Sequence, residues 1–342
     1  MQFAAIFADT WHLLSARKVF RVAVAITFLV GLLYASLGFN DRGFSLFYVL
    51  EFSNDLFYEG SPGASALALN VFYYVTEWWT SLLGVMLGLM TCASLFPDFM
   101  APGSIDTVLS KPIGRGRLFF YKYVSGLMCA AILVVLLAVM AWLTIRWRLG
   151  FWHASVFWSV PLAMALYSYL FGVCVLFGVW TRSTLASLLL TMLFWLGCWG
   201  LQWAEQLSAQ FSRTTSAAAV VTGEAEGMNK AEVAHQIFRG LMVVLPKTAE
   251  TTSLVRRAVL RDQDREYLKE MEVDSQVQRA ADLAQLLGRP PEAEVIVRQR
   301  VVKDMEAMSA LEKSPWYILG SSLGFEALVV GLACWIFTRR DY

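Results

Sequence analysis

Six stretches of this sequence are long and apolar enough to cross a lipid bilayer, and they constrain the fold more than any other feature. A helix needs about 20 apolar residues to span the hydrocarbon core. The stretches are residues 19–39, 71–96, 120–145, 156–180, 184–203 and 316–337. We therefore expect an all-α membrane protein with six transmembrane helices.

Charged residues are distributed very unevenly along the chain. Hydrophobic residues make up 57% of the 342 residues and charged residues 16%. Residues 205–314 nevertheless contain 15 Lys or Arg and 17 Asp or Glu, which is 32 of the 55 charged residues. This segment is predicted to be bathed by water and the rest mostly by lipid. With a net charge of +1 and no long basic stretch, the sequence predicts no nucleic-acid partner.

The charge distribution divides the chain into three parts. Residues 1–204 form a predicted transmembrane domain, residues 205–314 an extracytoplasmic helical module, and residues 315–342 the last transmembrane helix with a cytoplasmic tail. Two apolar stripes flank a break at Gly288–Pro291, so residues 261–313 are predicted to form a helical hairpin. Residues 212–227 are rich in Ser, Thr, Ala and Gly, which is typical of a mobile linker.

The positions of Lys and Arg predict the orientation of the chain in the membrane. With a cytoplasmic N-terminus, ten of these cations lie on the inner face and three on the short outer loops. The inner cations are Arg17, Lys18, Arg21, Lys111, Arg115, Arg117, Lys122, Arg182, Arg339 and Arg340. The positive-inside rule therefore places both termini and the loop 97–119 in the cytoplasm. We expect a multi-pass protein of the plasma membrane, which in bacteria is the inner membrane.

An amphipathic pattern precedes the first apolar stretch. Apolar residues recur at helical spacing, namely Phe3, Ile6, Phe7, Trp11 and Leu14. Residues 1–18 are therefore predicted to form an interfacial helix on the inner membrane surface. The alternative is a helix that simply extends the first span.

The loop 97–119 carries the most informative motif in the sequence. Ser104 can cap a short helix in which Ile105, Val108 and Leu109 share one apolar face, and Pro112 ends that helix. Four cations follow, Lys111, Arg115, Arg117 and Lys122. This pattern predicts a short surface helix that contacts a partner. The alternative is an ordinary interfacial loop whose cations obey the positive-inside rule.

The run from Gly103 to Ile113, with Arg115, Arg117 and Lys122 after it, resembles the loop after the second helix in membrane subunits of ABC-2 type transporters. The stretch LPKTAETTSL at 245–254 and the ending FTRRDY at 337–342 are also similar to that family. The resemblance implies a coupling helix formed by Ser104, Ile105, Val108, Leu109, Lys111 and Pro112, with Arg115 and Arg117 beside it, that docks on an ATPase subunit. It covers the six spans but not residues 261–313.

The resemblance also implies the partners. No G-x-x-x-x-G-K-[ST] loop occurs in the sequence, so the ATPase is expected to be a separate chain, and this chain is expected to be neither an enzyme nor a binder of cofactors. A second copy of the chain or a sister permease completes the family's transporter. A non-transporting anchor, which transmits force to an extracytoplasmic partner of 261–313, is the alternative. A membrane enzyme is disfavoured because no H-E-x-x-H motif occurs in the sequence.

Two acidic residues lie within the apolar stretches. Glu326 falls near the middle of the sixth span and Glu77 within the second. Burying a carboxyl group in lipid is costly, so each side chain either lines a pathway or pairs with a Ser, Thr or Tyr of a neighbouring helix. No metal site is predicted, because the three His residues are far apart in sequence and none has a Cys or carboxylate at ligand spacing.

Overall fold

The computed structural model confirms a mostly helical membrane protein. Five helices in the described part of the chain are long and apolar enough to cross a membrane. The structure describes residues 2–40, 43–47, 49–53, 61–79, 83–101, 114–222, 240, 245–260, 263–271, 273–274, 277 and 314–339.

The N-terminal helix is separate from the first membrane-spanning candidate. Helix α1 spans Gln2–Ala16 and helix α2 spans Lys18–Ala35. Arg17 between them has φ −72° and ψ 135°, an extended conformation that interrupts the helix. Leu14 is fully buried, and the ring of Trp11 lies edge-on to Phe20 at a centroid distance of 5.6 Å. The interpretation of residues 1–18 as a straight extension of the first span is therefore wrong.

A small antiparallel sheet follows α2, which the sequence did not predict. Strands β1 (Leu37–Asn40), β2 (Gly43–Leu46) and β3 (Leu50–Ser53) pair in that order. The apolar run 19–39 conceals the start of β1, so the predicted first helix ends at Ala35 instead. Apolar residues suit a half-buried strand as well as a membrane helix, and an apolar run by itself does not distinguish them.

The second predicted span, 71–96, is not one of the five long helices. The chain instead forms helix α3 (Pro62–Trp78), helix α4 (Gly84–Cys92) and helix α5 (Leu95–Phe99). Between α3 and α4, a Cβ atom on Gly84 would lie 2.6 Å from the Trp79 carbonyl oxygen, a close approach that requires glycine. Residues 80–82, between α3 and α4, lie outside the described residues, so a single second span over 71–96 stays a prediction.

Residues 62–99 nevertheless run antiparallel to α2 along its whole length. The Tyr34 hydroxyl near the end of α2 donates to the Ala68 carbonyl at 3.1 Å. Arg17, just before α2, binds Asp98 of α5 at 2.6 Å. Residues 62–99 therefore extend over the same distance as α2, from one end of the bundle to the other.

The remaining predicted spans appear as helices close to their expected bounds. They are α6 (Arg115–Leu149), α7 (Ser159–Thr181, preceded by a 3₁₀ turn at Ala154–Trp158), α8 (Thr184–Thr222) and α10 (Pro315–Arg339). A further helix, α9 (Thr248–Val259), lies between α8 and α10 in the charged segment. Helix α7 is central, because it packs against α6, α8, α9 and α10. Many of its residues are buried, including Tyr169 and Phe171.

The charged segment 205–314 is only partly described. Helix α8 continues to Thr222, so the predicted linker 212–227 begins inside a helix, where each further residue adds a backbone hydrogen bond. Helix α9 belongs to the charged segment, yet Leu254, Val255 and Val259 are buried against the bundle. Residues 263–271 are helical, and most of the predicted hairpin 261–313 lies outside the described residues.

The bundle has two chemically different ends. One end gathers α1, α5, the start of α6 and the end of α10, and we call it the termini end. The opposite end carries the β-sheet, α9 and residues 263–271, and we call it the module end. There His153 contacts the Val259 carbonyl oxygen at 2.6 Å, and Ser65 donates to Asp264 at 2.8 Å.

Candidate functional site

The predicted coupling helix falls mostly on residues that the structure does not describe. Ser104, Ile105, Val108, Leu109, Lys111 and Pro112 all lie outside the described residues. Arg115 and Arg117 are described and occupy the first turn of α6. The structure therefore shows how both ends of this loop are attached to the bundle.

The leading end of the loop is held by an ion pair and by buried rings. Asp98 accepts from the Arg17 guanidinium at 2.6 Å, which ties α5 to the junction of α1 and α2. Phe96 and Phe99 on either side of Asp98 are buried. In the five-residue helix α5, the Phe96 and Phe99 rings therefore point inward, while the Asp98 carboxylate is more exposed.

The trailing end of the loop is held by α10. Gly114 caps α6, and the Arg115 side chain donates to the Thr338 carbonyl oxygen at 3.3 Å. This carbonyl belongs to the last turn of α10, where backbone acceptors lack partners within the helix. Arg117 is exposed at the same end of the bundle. Of the two predicted arginines, one is therefore structural and one faces outward.

Four buried phenylalanines lie where α5, α6 and α10 meet, next to the described ends of the loop, and we call them the loop-base cluster. Phe96 contacts Phe119 at a ring-centroid distance of 5.0 Å, and Phe119 contacts Phe337 at 5.7 Å. Phe99 stacks on Phe337 at 6.1 Å. The cluster joins α5, α6 and α10, so a displacement of the loop would act on three helices together.

Lys122 is turned into the bundle instead of facing the headgroups. It is 4% exposed, its ammonium lies 3.6 Å from Asp9 of α1, and it sits 5.4 Å from the ring centre of Phe99. The sequence placed it among the cytoplasmic cations that follow from topology. The structure gives it a second role, because it joins α1 and α6 to the loop-base cluster.

Glu326 forms the centre of a polar contact between three helices. The Tyr123 hydroxyl of α6 donates to Oε1 of Glu326 at 2.7 Å, and the Ser168 hydroxyl of α7 lies 2.7 Å from Oε2. The carboxyl group therefore pairs with hydroxyl groups of two neighbouring helices, and its role in a pathway stays a prediction. Such contacts satisfy polar groups that lipid cannot.

Glu77 lies on α3, one turn after Tyr73, and is hydrogen-bonded to its hydroxyl. The guanidinium of Arg256 on α9 lies 5.6 Å from the ring centre of Tyr73. Glu77 is therefore near the module end and far along the chain from Glu326 and its partners. The structure does not bring the two predicted acidic residues into one site.

Metal chemistry has no support in the described part of the chain, where no group of three or more His, Cys, Asp or Glu side chains could hold an ion. Comparison with family models, with curated proteins and with solved structures yields no match for this chain.

Sequence reasoning missed most partners of the predicted residues. Asp98 is next to the predicted loop, but nothing in its own surroundings points to Arg17, 81 residues earlier. Phe337 belongs to the FTRRDY ending, and Tyr123 and Ser168 lie within the apolar stretches 120–145 and 156–180, where no pattern distinguishes them. Tyr123 and Ser168 lie 203 and 158 residues before Glu326 in the sequence. Helix packing brings the three together, so no local sequence pattern predicts the contact.

Proposed function

We propose that this chain is the membrane-spanning permease subunit of an ABC-2 type ATP-driven transporter and works as an exporter. A separate ATPase subunit docks on the coupling helix at 104–112. A second copy of the chain, or a sister permease, completes the transporter. ATP hydrolysis takes place in the partner, since this chain has no phosphate-binding loop.

The observation that carries the proposal is the attachment of the loop 102–113 at both of its ends. The ion pair between Arg17 and Asp98 holds the leading end. The hydrogen bond from Arg115 to the Thr338 carbonyl holds the trailing end, and both ends adjoin the loop-base cluster. Packed aromatic rings transmit displacement because protein interiors are dense and have low compressibility. A force applied to the loop would therefore move α5, α6 and α10 together. An ordinary connecting loop needs no such attachment to three helices.

The proposed topology places the termini end in the cytoplasm and the module end outside. Support comes from the cation count of ten against three and from the gathering of α1, the loop ends and the end of α10 at one end of the bundle.

Cysteine labelling tests this topology. In a background without the five native cysteines, Glu266→Cys should react with an impermeant thiol reagent from outside intact cells. Lys18→Cys, also at an exposed position, should react only after permeabilisation. The reverse pattern would overturn the topology and, with it, access of an ATPase to the loop.

The central test is a charge on the apolar face of the coupling helix. Burying a leucine-sized side chain in a partner groove contributes about 1.5–3 kcal/mol, so Leu109→Asp should weaken ATPase binding by roughly tenfold or more. Co-purification of the ATPase and nucleotide-dependent transport in vesicles should both fall, while expression and thermal stability stay at parental values. Val49→Asp, at a 79% exposed position in the module-end turn, is the matched control. Parental ATPase binding and transport by Leu109→Asp would contradict the proposal.

A second candidate is an anchor that transmits ATPase-driven force to an extracytoplasmic partner. It is favoured by the attachment of the charged segment to the bundle, through Asp264 to Ser65 and through Gln202 to Thr248. Deletion of residues 275–313 separates the two. An exporter should still move substrate in vesicles without this segment, whereas an anchor should retain ATPase binding but lose its partner.

A further inference from the structure

A column of side chains in contact, with aromatic rings tilted relative to one another, lies at the module end of α6. The rings of Phe157 and Trp142 lie 5.6 Å apart, and those of Trp142 and Trp152 lie 4.4 Å apart. The guanidinium of Arg146 completes the column at 5.1 Å from the ring centre of Trp152. Trp142 and Arg146 are one helical turn apart on α6, so the same face of the helix carries both.

Arg146 is oriented but not neutralised. Its Nη1 donates to the carbonyl oxygen of Gly150, the residue with φ 75° that ends α6. Together with the stacking on Trp152, this contact fixes the plane of the guanidinium. Among the described residues no carboxylate pairs with Arg146, and its side chain is exposed. Several N–H donors in a planar fork thus remain available to an oxyanion.

The column stands at the level where lipid headgroups meet the protein. Helix α6 is a membrane-spanning candidate that ends at Leu149, and Trp152, Trp158 and Trp147 around this end are 58%, 63% and 72% exposed. Exposed Trp side chains at the end of a spanning helix are typical of the membrane–water interface. The helix macrodipole accounts for a cation in the last turn, but it does not account for the stacked and oriented guanidinium.

We infer that Arg146 and Trp152 form a binding site for the phosphate group of an anionic phospholipid in the leaflet at the module end. Arg146 would bind phosphate oxygens through its free N–H groups, as guanidinium groups commonly do. The rings of the column would pack against the glycerol and the first acyl carbons. An anionic lipid suits the site because the guanidinium brings a charge that the described residues leave unpaired.

Titration of the purified full chain in detergent micelles tests the inference. The probes are short-chain phosphatidylglycerol, short-chain phosphatidylcholine and inorganic phosphate, and the readout is the apparent Kd from the lipid-dependent rise in Tm. Parental protein should bind phosphatidylglycerol about tenfold more tightly than phosphatidylcholine. Arg146→Gln should weaken phosphatidylglycerol binding about tenfold, because a charge-assisted bidentate contact is lost.

Three further variants keep the result interpretable. Arg146→Lys preserves the charge but not the planar fork, so we expect an intermediate loss of roughly threefold. Trp152→Leu should weaken binding similarly, since it removes the stacking that orients the guanidinium. Lys18→Gln, which removes an exposed cation at the other end of the bundle, should leave the affinity unchanged.

Three outcomes would overturn the inference. The first is parental affinity of Arg146→Gln for phosphatidylglycerol. The second is an equal loss in Arg146→Gln and Lys18→Gln, which would show general attraction of anions to cations. The third is equal affinity for inorganic phosphate and phosphatidylglycerol, which would assign the site to a free anion.

Discussion

The termini end and the module end of the bundle are held together by different chemistry. At the termini end, charged pairs flank a cluster of buried rings, with Arg17 on Asp98 and Lys122 near Asp9. At the module end, most described side-chain contacts go to hydroxyl groups or backbone carbonyls, as with Gln202 on Thr248 and Lys247 on Ser321. Single hydrogen bonds hold these described contacts of the module end, whereas rings and ion pairs tie a loop to several helices at the termini end.

This difference suggests that the two ends respond differently to the same loss of packing. Rings at the termini end connect the loop to three helices, so damage there should affect both stability and coupling. Rings at the module end lie away from the loop, so damage there should affect stability alone. The predictions below test or refine that distinction.

The largest effect is expected from a matched pair of ring deletions. Phe119 in the loop-base cluster and Phe72 near Tyr34 are each 1% exposed, so Phe119→Ala and Phe72→Ala should each lower the free energy of unfolding by about 3–5 kcal/mol. Among molecules that remain folded, Phe119→Ala should reduce nucleotide-dependent transport severalfold and Phe72→Ala should not. Denaturant unfolding in detergent and vesicle transport measure the two effects. Equal transport losses would remove the functional distinction between the ends.

A smaller effect is expected midway between the ends, at Glu326. Glu326→Leu removes the charged acceptor of the Tyr123 and Ser168 hydroxyls, which should cost about 1–3 kcal/mol. The two hydroxyls then keep only the backbone carbonyls of Ser168 and Ala165 as acceptors. Glu326→Gln keeps an oxygen for Tyr123 and an amide group beside Ser168, so its stability should stay close to that of the parent. If Gln supports stability but not transport, the carboxyl group itself has a role in transport. If Leu is as stable as Gln, the network contributes little.

The smallest effects are expected from the ion pairs of the termini end. The side chains of Arg17 and Asp98 are 34% and 59% exposed, so a double-mutant cycle on this pair should give about 0.2–1 kcal/mol and less at high salt. Asp9→Asn should cost more, about 1 kcal/mol, because the side chain of Lys122 is 5% exposed and its ammonium loses its counter-charge. Thermal unfolding at 50 mM and 500 mM salt distinguishes the two. If the Arg17–Asp98 pair contributes more than is lost in Asp9→Asn, burial of Lys122 does not set the strength of its ion pair.

Several predictions from sequence hold because they depend on local composition. Helices α6, α7, α8 and α10 lie where apolar runs of about 20 residues predict them. The helix before the first span also appears, and its end at Ala16 agrees with the predicted bound near residue 18. Hydropathy over such a window is a property of neighbouring residues, so no tertiary contact is needed to read it.

Other predictions failed where the local signal was ambiguous. The run 19–39 continues into β1, because Leu37 and Phe39 are apolar in a strand as in a helix. The run 71–96 is described only as the end of α3 with α4 and α5, and it stays a predicted span because residues 80–82 lie outside the described residues. The stretch 245–254 belongs to the segment predicted to be bathed by water, and the structure adds that α9 packs its apolar face on α7. The predicted coupling helix at 104–112 stays a prediction, since it lies outside the described residues.

By itself, the sequence determined that this chain is a helical membrane protein, where most of its spanning helices lie, and which segment is charged. Those properties follow from the free energy of transferring consecutive side chains from water to lipid. That free energy depends on each segment alone. Only the tertiary structure decided that Asp98 binds Arg17, that Lys122 is buried, and that Glu326 pairs with Tyr123 and Ser168. Contacts between residues 81 to 203 positions apart depend on how whole helices pack, and packing is a property of surfaces that only the folded chain brings together.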